Sequence, residues 1–292
     1  MESHLLQGDA DLQRIRSLVQ RLPAGTSVVD FEEKMLTPVV LRFTCLWMDG
    51  DQAIAFALVD EGNNLMFDVD PAFASGALGK EIVAWGLACM RERNAESGET
   101  CTLDASCEAR DYGRMAFLQS FGFRLDDIRS LQYARSLESS IPAHPLPDGF
   151  SLRAVVGQQE VEDLVALHRA AFGTNNMTVD GRLAIMHAPN YVPELDWLAV
   201  APSGELAAFC ICGFEDDSHQ TGYTDPIGTH PRYQKLGLGR ALVTAGLQEL
   251  QRRGAKTARL GTSSENHAMQ RLVETLGFRI ASERVWFSRL VN

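Results

Sequence analysis

Residues 229–242 have the composition and the spacing of an anion-binding site. They run from an apolar stretch, through a turn that contains Gly237 and Gly239, into an amphipathic pattern that predicts a helix. The first turn of a helix has unpaired backbone N–H groups at the positive end of the helix dipole, and glycines allow a phosphate to approach those groups closely. The sequence therefore predicts phosphate binding at this junction.

Spacing excludes two common phosphate-binding motifs here. A P-loop has four residues between its glycines and continues as Gly-Lys-Ser/Thr, whereas Gly239 is followed by Arg240 and Ala241. The dinucleotide-binding motif requires a third glycine where this chain has Leu242. A glycine turn that only joins a strand to a helix is the alternative for an isolated Gly-x-Gly.

The pattern that remains, Gln-x-x-Gly-x-Gly at residues 234–239, resembles the acetyl-CoA pyrophosphate loop of the GNAT superfamily of N-acetyltransferases. A second pattern follows in the order typical of this superfamily, since a helix is predicted from Asn266 to a closing pair of Gly277 and Phe278. The resemblance covers residues 150–292 strongly and the earlier residues weakly. It favours a cofactor loop over a simple connecting turn.

The resemblance implies a set of contacts with acetyl-CoA. The backbones of Ile227 and Thr229 would pair with the pantetheine arm, and Asn266 would bond to that arm or position its own helix. Arg232 and Lys235 would meet the outer phosphate. The loop around the pyrophosphate, acting mainly through backbone amides, would comprise Gln234, Lys235, Leu236, Gly237, Leu238, Gly239 and Arg240.

Acetyl transfer to an amine requires a neutral nucleophile, a donor aimed at the thioester oxygen and a fate for the thiolate. Tyr223, Asp225 and Ile227 alternate onto one face of a predicted strand, if that strand is regular. Asp225 is the first candidate for the general base, directly or through water, or else it only binds a cationic acceptor or caps a turn. The family pattern implies that the Ile227 amide polarises the acetyl carbonyl. The second candidates for the base are Glu215, Asp216, Asp217 and His219. The alternative is that these residues only form a solvated surface loop.

One position departs from the family pattern. The superfamily commonly has a Tyr in the second helix that protonates the departing thiolate, and this chain has Val273 there. A CoA thiolate is a tolerable leaving group without a dedicated acid, so activity is not excluded. Tyr223, Tyr233 or water would then supply the proton.

The same order of predicted elements occurs in both halves of the chain. A strand that ends at a proline is followed by a helix, a second strand and a second helix that ends in Gly-Phe. Residues 137–149 have three prolines and no periodicity, which predicts a linker between residues 1–136 and 150–292. The first copy has Ala77 in place of Gly237, and we expect this degenerate domain not to bind acetyl-CoA. The resemblance implies an α/β (α+β) fold of two tandem GNAT-like domains, each a mixed, mainly antiparallel sheet flanked by helices.

Composition limits the classes of partner. The net charge of −11 argues against a general basic surface for nucleic acid and favours a cationic small partner. The six cysteines include no Cys-x-x-Cys pair, so we expect no metal site and buried thiols in a reducing cytoplasm. The sequence has neither a signal-peptide pattern nor an apolar run of the roughly 18 to 20 residues that span a membrane.

The leading hypothesis is an N-acetyltransferase that moves the acetyl group of acetyl-CoA to a primary amine of a small molecule, by direct attack, in residues 150–292. The two-copy layout resembles that of mycothiol synthase-like enzymes, which implies an amino-sugar thiol precursor as one acceptor, beside aminoglycosides and polyamines. The alternatives are a sensor that binds acyl-CoA without turnover and a protein N-acetyltransferase. A monomer and a homodimer both agree with the duplicated halves.

Overall fold

The computed structural model describes residues 2–22, 31, 34, 35, 37–215 and 218–291. The chain divides into two compact units, which are Met1–Arg129 with Arg284–Asn292 (unit 1) and Ser130–Glu283 (unit 2). The domain boundaries predicted at residues 136 and 150 stay predictions. In the described part of the chain, no helix is both long and apolar enough to cross a membrane.

An antiparallel sheet of order β1-β2-β3-β4 lies at the centre of unit 1. Its strands are β1 (Glu2–Leu5), β2 (Thr44–Asp49), β3 (Gln52–Val59) and β4 (Leu65–Val69). The helices of the unit are α1 (Asp9–Arg21), α2 (Pro38–Arg42), α3 (Gly76–Ser97) and α4 (Tyr112–Ser120), and strand β5 (Leu103–Glu108) lies between the last two.

Both faces of the unit 1 sheet are covered by helices. Successive side chains of a strand point to opposite faces, so Phe56 and Leu58 of β3 pack in one apolar cluster with residues of α1. Ala55 and Ala57 pack in a second cluster with residues of α3. This double coverage explains why β3 is buried along almost its entire length.

Unit 2 has a sheet of order β6-β11-β10-β9-β8-β7. Its strands are β6 (Arg124–Ser136), of which residues 130–136 belong to this unit, β7 (Ser151–Ala154), β8 (Asp196–Val200), β9 (Leu206–Phe214), β10 (Thr221–Thr229) and β11 (Thr257–Ser263). Its helices are α5 (Val161–Phe172), α6 (Val179–His187), α7 (Leu238–Arg252) and α8 (His267–Thr275). Strand β12 (Arg279–Arg289) begins in unit 2, and its residues 284–289 pair antiparallel with β5 of unit 1.

The predicted fold class is confirmed, since helices flank a sheet in each unit and the sheet of unit 2 is mixed. Strands β10 and β11 pair in parallel, whereas β7, β8, β9 and β10 pair antiparallel along the sheet. Parallel neighbours need a crossover connection, and α7 supplies it. Leu242, Leu247 and Leu250 of α7 are fully buried against the sheet. This packing holds the loop between β10 and α7 at the end of the central strands.

Candidate active site

A cavity opens where the pairing of β10 with β11 stops. The last paired residues are Tyr223 and Arg259, and beyond them Asp225 Oδ2 accepts a hydrogen bond from the Gly261 amide at 2.9 Å. The cavity has a volume of about 370 Å³. Its lining combines apolar side chains with one carboxylate and one carboxamide, from Phe172, Asp225, Pro226, Ile227, Leu260, Gly261, Asn266 and Met269.

An irregularity in β10 decides which side chains reach this cavity. The register between β9 and β10 shifts between Thr224 and Ile227, and Pro226, which has no N–H to donate, lies within the shift. The regular alternation expected for this strand is therefore wrong. Asp225 and Ile227 line the cavity, whereas Tyr223 does not, because its phenol ring lies against Gly213.

The environment of Asp225 changes the basicity of its carboxylate. Burial raises the pKa of the Asp225 carboxyl above its ordinary value, and the hydrogen bond from the Gly261 amide acts in the opposite direction. A carboxylate with a raised pKa is a better proton acceptor than an exposed one. Asp225 thus forms a hydrogen bond between β10 and β11, and it also presents a proton-accepting group to the cavity.

The loop after β10 presents backbone amides to an anion. Lys235 and Gly237 both adopt left-handed backbone conformations, with φ of 65° and 81°. Left-handed residues within such a turn direct successive N–H groups into one concavity. Gly237 is also the N-cap of α7, and no side chain caps that helix. The amides of its first turn are therefore available to a ligand.

In unit 1, the helix that follows the corresponding loop has a side-chain cap at its N-terminus. Ser75 caps α3 by accepting a hydrogen bond from the Leu78 amide at 3.2 Å, and among the described residues 71–79 none is left-handed. The Phe117 ring occupies the position that a β-carbon on Gly79 would take. A nearby cavity of about 510 Å³ is lined mainly by apolar side chains. Unit 1 thus lacks the arrangement of amides that unit 2 has.

The predicted phosphate-binding cations differ in how they are held. The Arg232 guanidinium forms an exposed ion pair with Glu205, which also accepts a hydrogen bond from the Tyr233 hydroxyl at 2.7 Å. Lys235 is exposed beside the loop. The Nε atom of Arg240 is buried and has no hydrogen-bond partner within the described residues. Arg240 therefore has an unsatisfied donor next to the loop, whereas Arg232 is already paired.

The other loop positions follow the end of β10 and lead into α7. Thr229 ends β10, and its Oγ1 lies 3.8 Å from the β-carbon position of Gly239. Gln234 and Leu236 are exposed, and Leu238, the first residue of α7, is buried. This exposure pattern leaves the backbone of the loop accessible.

Helix α8 begins as the sequence indicates. The Asn266 side chain caps it by accepting a hydrogen bond from the Met269 amide at 3.1 Å, and both residues line the cavity. Val273 is fully buried in the core of unit 2. The position that carries a Tyr in the family pattern therefore offers no proton to the cavity.

Two of the second-line bases, Glu215 and His219, have partners that are not part of the cavity lining. Glu215 forms an ion pair with Arg259 at 3.1 Å, and the His219 ring stacks on Phe214 with centroids 4.2 Å apart. Asp216 and Asp217 lie outside the described residues. Asp225 is the carboxylate that the cavity lining contains.

Two groups of the site were missed by the sequence prediction. Phe172, Leu260 and Met269 form apolar walls of the cavity, although each belongs to a different element. His144 lies in the predicted linker, and its Nε2 is 3.3 Å from the position that a β-carbon on Gly237 would take. No local sequence pattern indicates either group, because the packing of segments that are distant in sequence brings these residues to the site.

A buried ion pair supports the elements around Phe172. Arg182 of α6 pairs with Asp196 at the start of β8, and Asp196 also accepts a hydrogen bond from the Tyr191 hydroxyl at 2.7 Å. Burial raises the pKa of Asp196, and Arg182 opposes this rise. The His168 ring packs against Phe172 with centroids 4.7 Å apart, and both burial and the positive charge of Arg182 lower the pKa of His168.

Comparison with known proteins places the same region in one family. Residues 162–278 match the model of the acetyltransferase (GNAT) family. The mycothiol acetyltransferase of Arthrobacter sp. (strain FB24) is 32% identical over 148 residues, which are 48% of this chain and 46% of that protein. The mycothiol acetyltransferase of Thermobispora bispora is 29% identical over 252 residues, 82% and 81% of the two chains. The match thus spans about half the length of the first relative and most of the second.

Solved structures show the same fold. A tandem GNAT protein from the clavulanic acid biosynthesis pathway superimposes with a TM-score of 0.76 at 17% identity, over 100% of this chain and 99% of that one. A GCN5-related N-acetyltransferase from Sphaerobacter thermophilus gives a TM-score of 0.74 at 20% identity, over 97% and 92%. The likeness in fold to these two structures therefore covers nearly the whole chain.

Proposed function

Since the chain belongs to the GNAT acetyltransferase family and has its two-domain tandem layout, we propose that unit 2 transfers an acetyl group from acetyl-CoA to a primary amine of a small molecule. The relatives are mycothiol acetyltransferases, so an acceptor of the mycothiol type is the first to test. We place this reaction in the cytoplasm, without a metal ion.

The loop at the start of α7 supports this proposal most strongly. Left-handed Lys235 and Gly237 lead into a helix that no side chain caps, and the loop follows β10, whose residues Asp225 and Ile227 line the cavity. A pyrophosphate at the loop would direct the pantetheine arm along β10, past Thr229 and Ile227. The thioester would then lie in the cavity at the end of the β10–β11 pairing.

The residues of the cavity have separate roles in the proposed reaction. The amine nitrogen attacks the thioester carbon, so a C–N bond forms and the C–S bond breaks, while the Ile227 amide donates to the carbonyl oxygen. Asp225 accepts a proton from the amine, directly or through water. Its Oδ1 takes this role because Oδ2 accepts the Gly261 N–H. The thiolate takes its proton from solvent, since Val273 has none to give.

The test is release of CoA thiol by the full chain with acetyl-CoA across a panel of amines. The panel contains an amino-sugar thiol, an aminoglycoside, a polyamine and a lysine peptide. We expect release with a small amine and loss of that release in Asp225→Asn. Preference for the lysine peptide would favour a protein acetyltransferase.

The buried Val273 favours a second candidate, a sensor that binds acyl-CoA without turnover. Calorimetric binding of acetyl-CoA with no thiol release on any amine would support the sensor and contradict the enzyme. Absence of binding would contradict both functions.

A further inference from the structure

Residues 137–147 form an extended segment that packs on α7, and we call this segment the strap. Leu137 and Ile141 are buried in the core of unit 2. Gln248 of α7 donates a hydrogen bond to the Ile141 carbonyl at 2.7 Å, and Gln251 donates to the Ser139 carbonyl at 3.0 Å. The strap therefore runs from the last turns of α7 toward the start of the helix.

The strap brings His144 to the loop. The imidazole Nε2 and Cδ2 atoms lie 3.3 and 3.9 Å from the β-carbon position of Gly237. Pro142 and Pro145 flank the histidine, and prolines restrict the backbone of an extended segment. The imidazole is consequently held against the glycine that caps α7, from outside the motif that defines the loop.

A second polar side chain near the loop has one donor atom without a partner. Arg240 lies in the first turn of α7, and its buried Nε atom has no hydrogen-bond partner among the residues that the structure describes. Burial and the positive charge of Arg240 both lower the pKa of His144. The His144 imidazole and the Arg240 guanidinium would repel each other if both were charged. Both lie near the unpaired amides of the loop, and a bound anion would stabilise the two positive charges there.

We propose that His144 is a ligand of the cofactor pyrophosphate, contributed by the strap and acting together with Arg240. The inference rests on the proposed function, in which the loop holds acetyl-CoA. The imidazole N–H donates to a phosphate oxygen, and the negative charge of the pyrophosphate favours the protonated ring. The strap is then part of the cofactor site of unit 2.

The test compares His144→Ala and His144→Lys in the full chain, by calorimetric titration with acetyl-CoA and by the melting temperature without ligand. A charge-assisted hydrogen bond contributes about 1.5–3 kcal/mol, so we expect the Kd of His144→Ala to rise about 10- to 150-fold. His144→Lys keeps a cation at this position, and we expect its Kd to stay close to that of the wild type. His187→Ala is the control, because His187 bonds to Gln158 in the same unit.

Three outcomes have different meanings. An unchanged Kd in His144→Ala would overturn the inference and leave the proposed function intact. An equal loss of affinity in the Ala and Lys variants, with lowered melting temperatures, would show that His144 only packs the loop, and this would also overturn it. Failure of the wild type to bind acetyl-CoA would contradict the proposed function, and the inference would fail with it.

Discussion

Asp225 has one observed role and one proposed role, and an amide substitution separates the two. Its Oδ2 accepts the Gly261 N–H across the opening between β10 and β11, and its partly buried carboxylate is the proposed base. An asparagine keeps an oxygen that can accept the Gly261 hydrogen bond but loses the basic carboxylate. An alanine loses both.

We expect Asp225→Asn to lower kcat/KM for the amine by at least about 100-fold, because general-base catalysis typically contributes about 10²–10⁴-fold. Its affinity for acetyl-CoA should not change. Steady-state thiol release measures kcat/KM, and calorimetry measures the affinity for acetyl-CoA. The Asp225→Ala variant shows the additional effect of losing the hydrogen bond with Gly261. Full activity in the Asn variant would mean that Asp225 only links the strands.

The pH dependence tests the same residue. Burial raises the pKa of Asp225, and a base is active only when it is deprotonated. The kcat/KM should therefore fall as the pH decreases through this pKa, at a pH above the ordinary Asp value of about 3.9. The residual activity of Asp225→Asn should lack this acidic limb. If kcat/KM falls identically at acidic pH in the wild type and in Asp225→Asn, a group other than Asp225 causes the fall.

At the scale of elements, the Arg182–Asp196 pair holds α6 against the start of β8. Both side chains are buried. Removing one partner of a buried pair leaves the other charge uncompensated, which typically costs about 3–5 kcal/mol. We expect Arg182→Ala to lower the free energy of unfolding of unit 2 by this amount in a urea titration. Arg252→Ala is the matched control, because Arg252 pairs with Glu249 on the surface and its loss should leave stability unchanged. Equal effects of the two variants would contradict this account.

Local features of unit 2 could be predicted from the sequence, whereas long-range contacts could not. The loop at Gly237 and the cap at Asn266 depend on a few consecutive residues, and the structure places both as predicted. The register shift at Pro226 was only partly foreseeable, because a proline shows where pairing fails but not how the strand continues. The approach of Gly261 to Asp225 depends on the packing of distant segments. No local pattern encodes such contacts.

At the scale of the molecule, the two units have the same order of elements but different loops. Unit 2 has left-handed residues and an uncapped helix, whereas unit 1 has the Ser75 cap and an apolar cavity. We therefore expect one molecule of acetyl-CoA to bind to each chain. Ala77 is exposed at the position that corresponds to Gly237, which makes Ala77→Val a suitable control in unit 1. Gly79→Val is less suitable because its side chain would collide with Phe117.

Calorimetric titration of the full chain with acetyl-CoA tests the central claim most directly, in the wild type, Gly237→Val and Ala77→Val. The left-handed Gly237 disfavours any β-carbon by roughly 1–2 kcal/mol, and the side chain would also obstruct the pyrophosphate. We expect one site per chain, lost in Gly237→Val and retained in Ala77→Val, with all three proteins folded by circular dichroism. Two equal sites in the wild type, or binding that survives Gly237→Val and is lost in Ala77→Val, would contradict it.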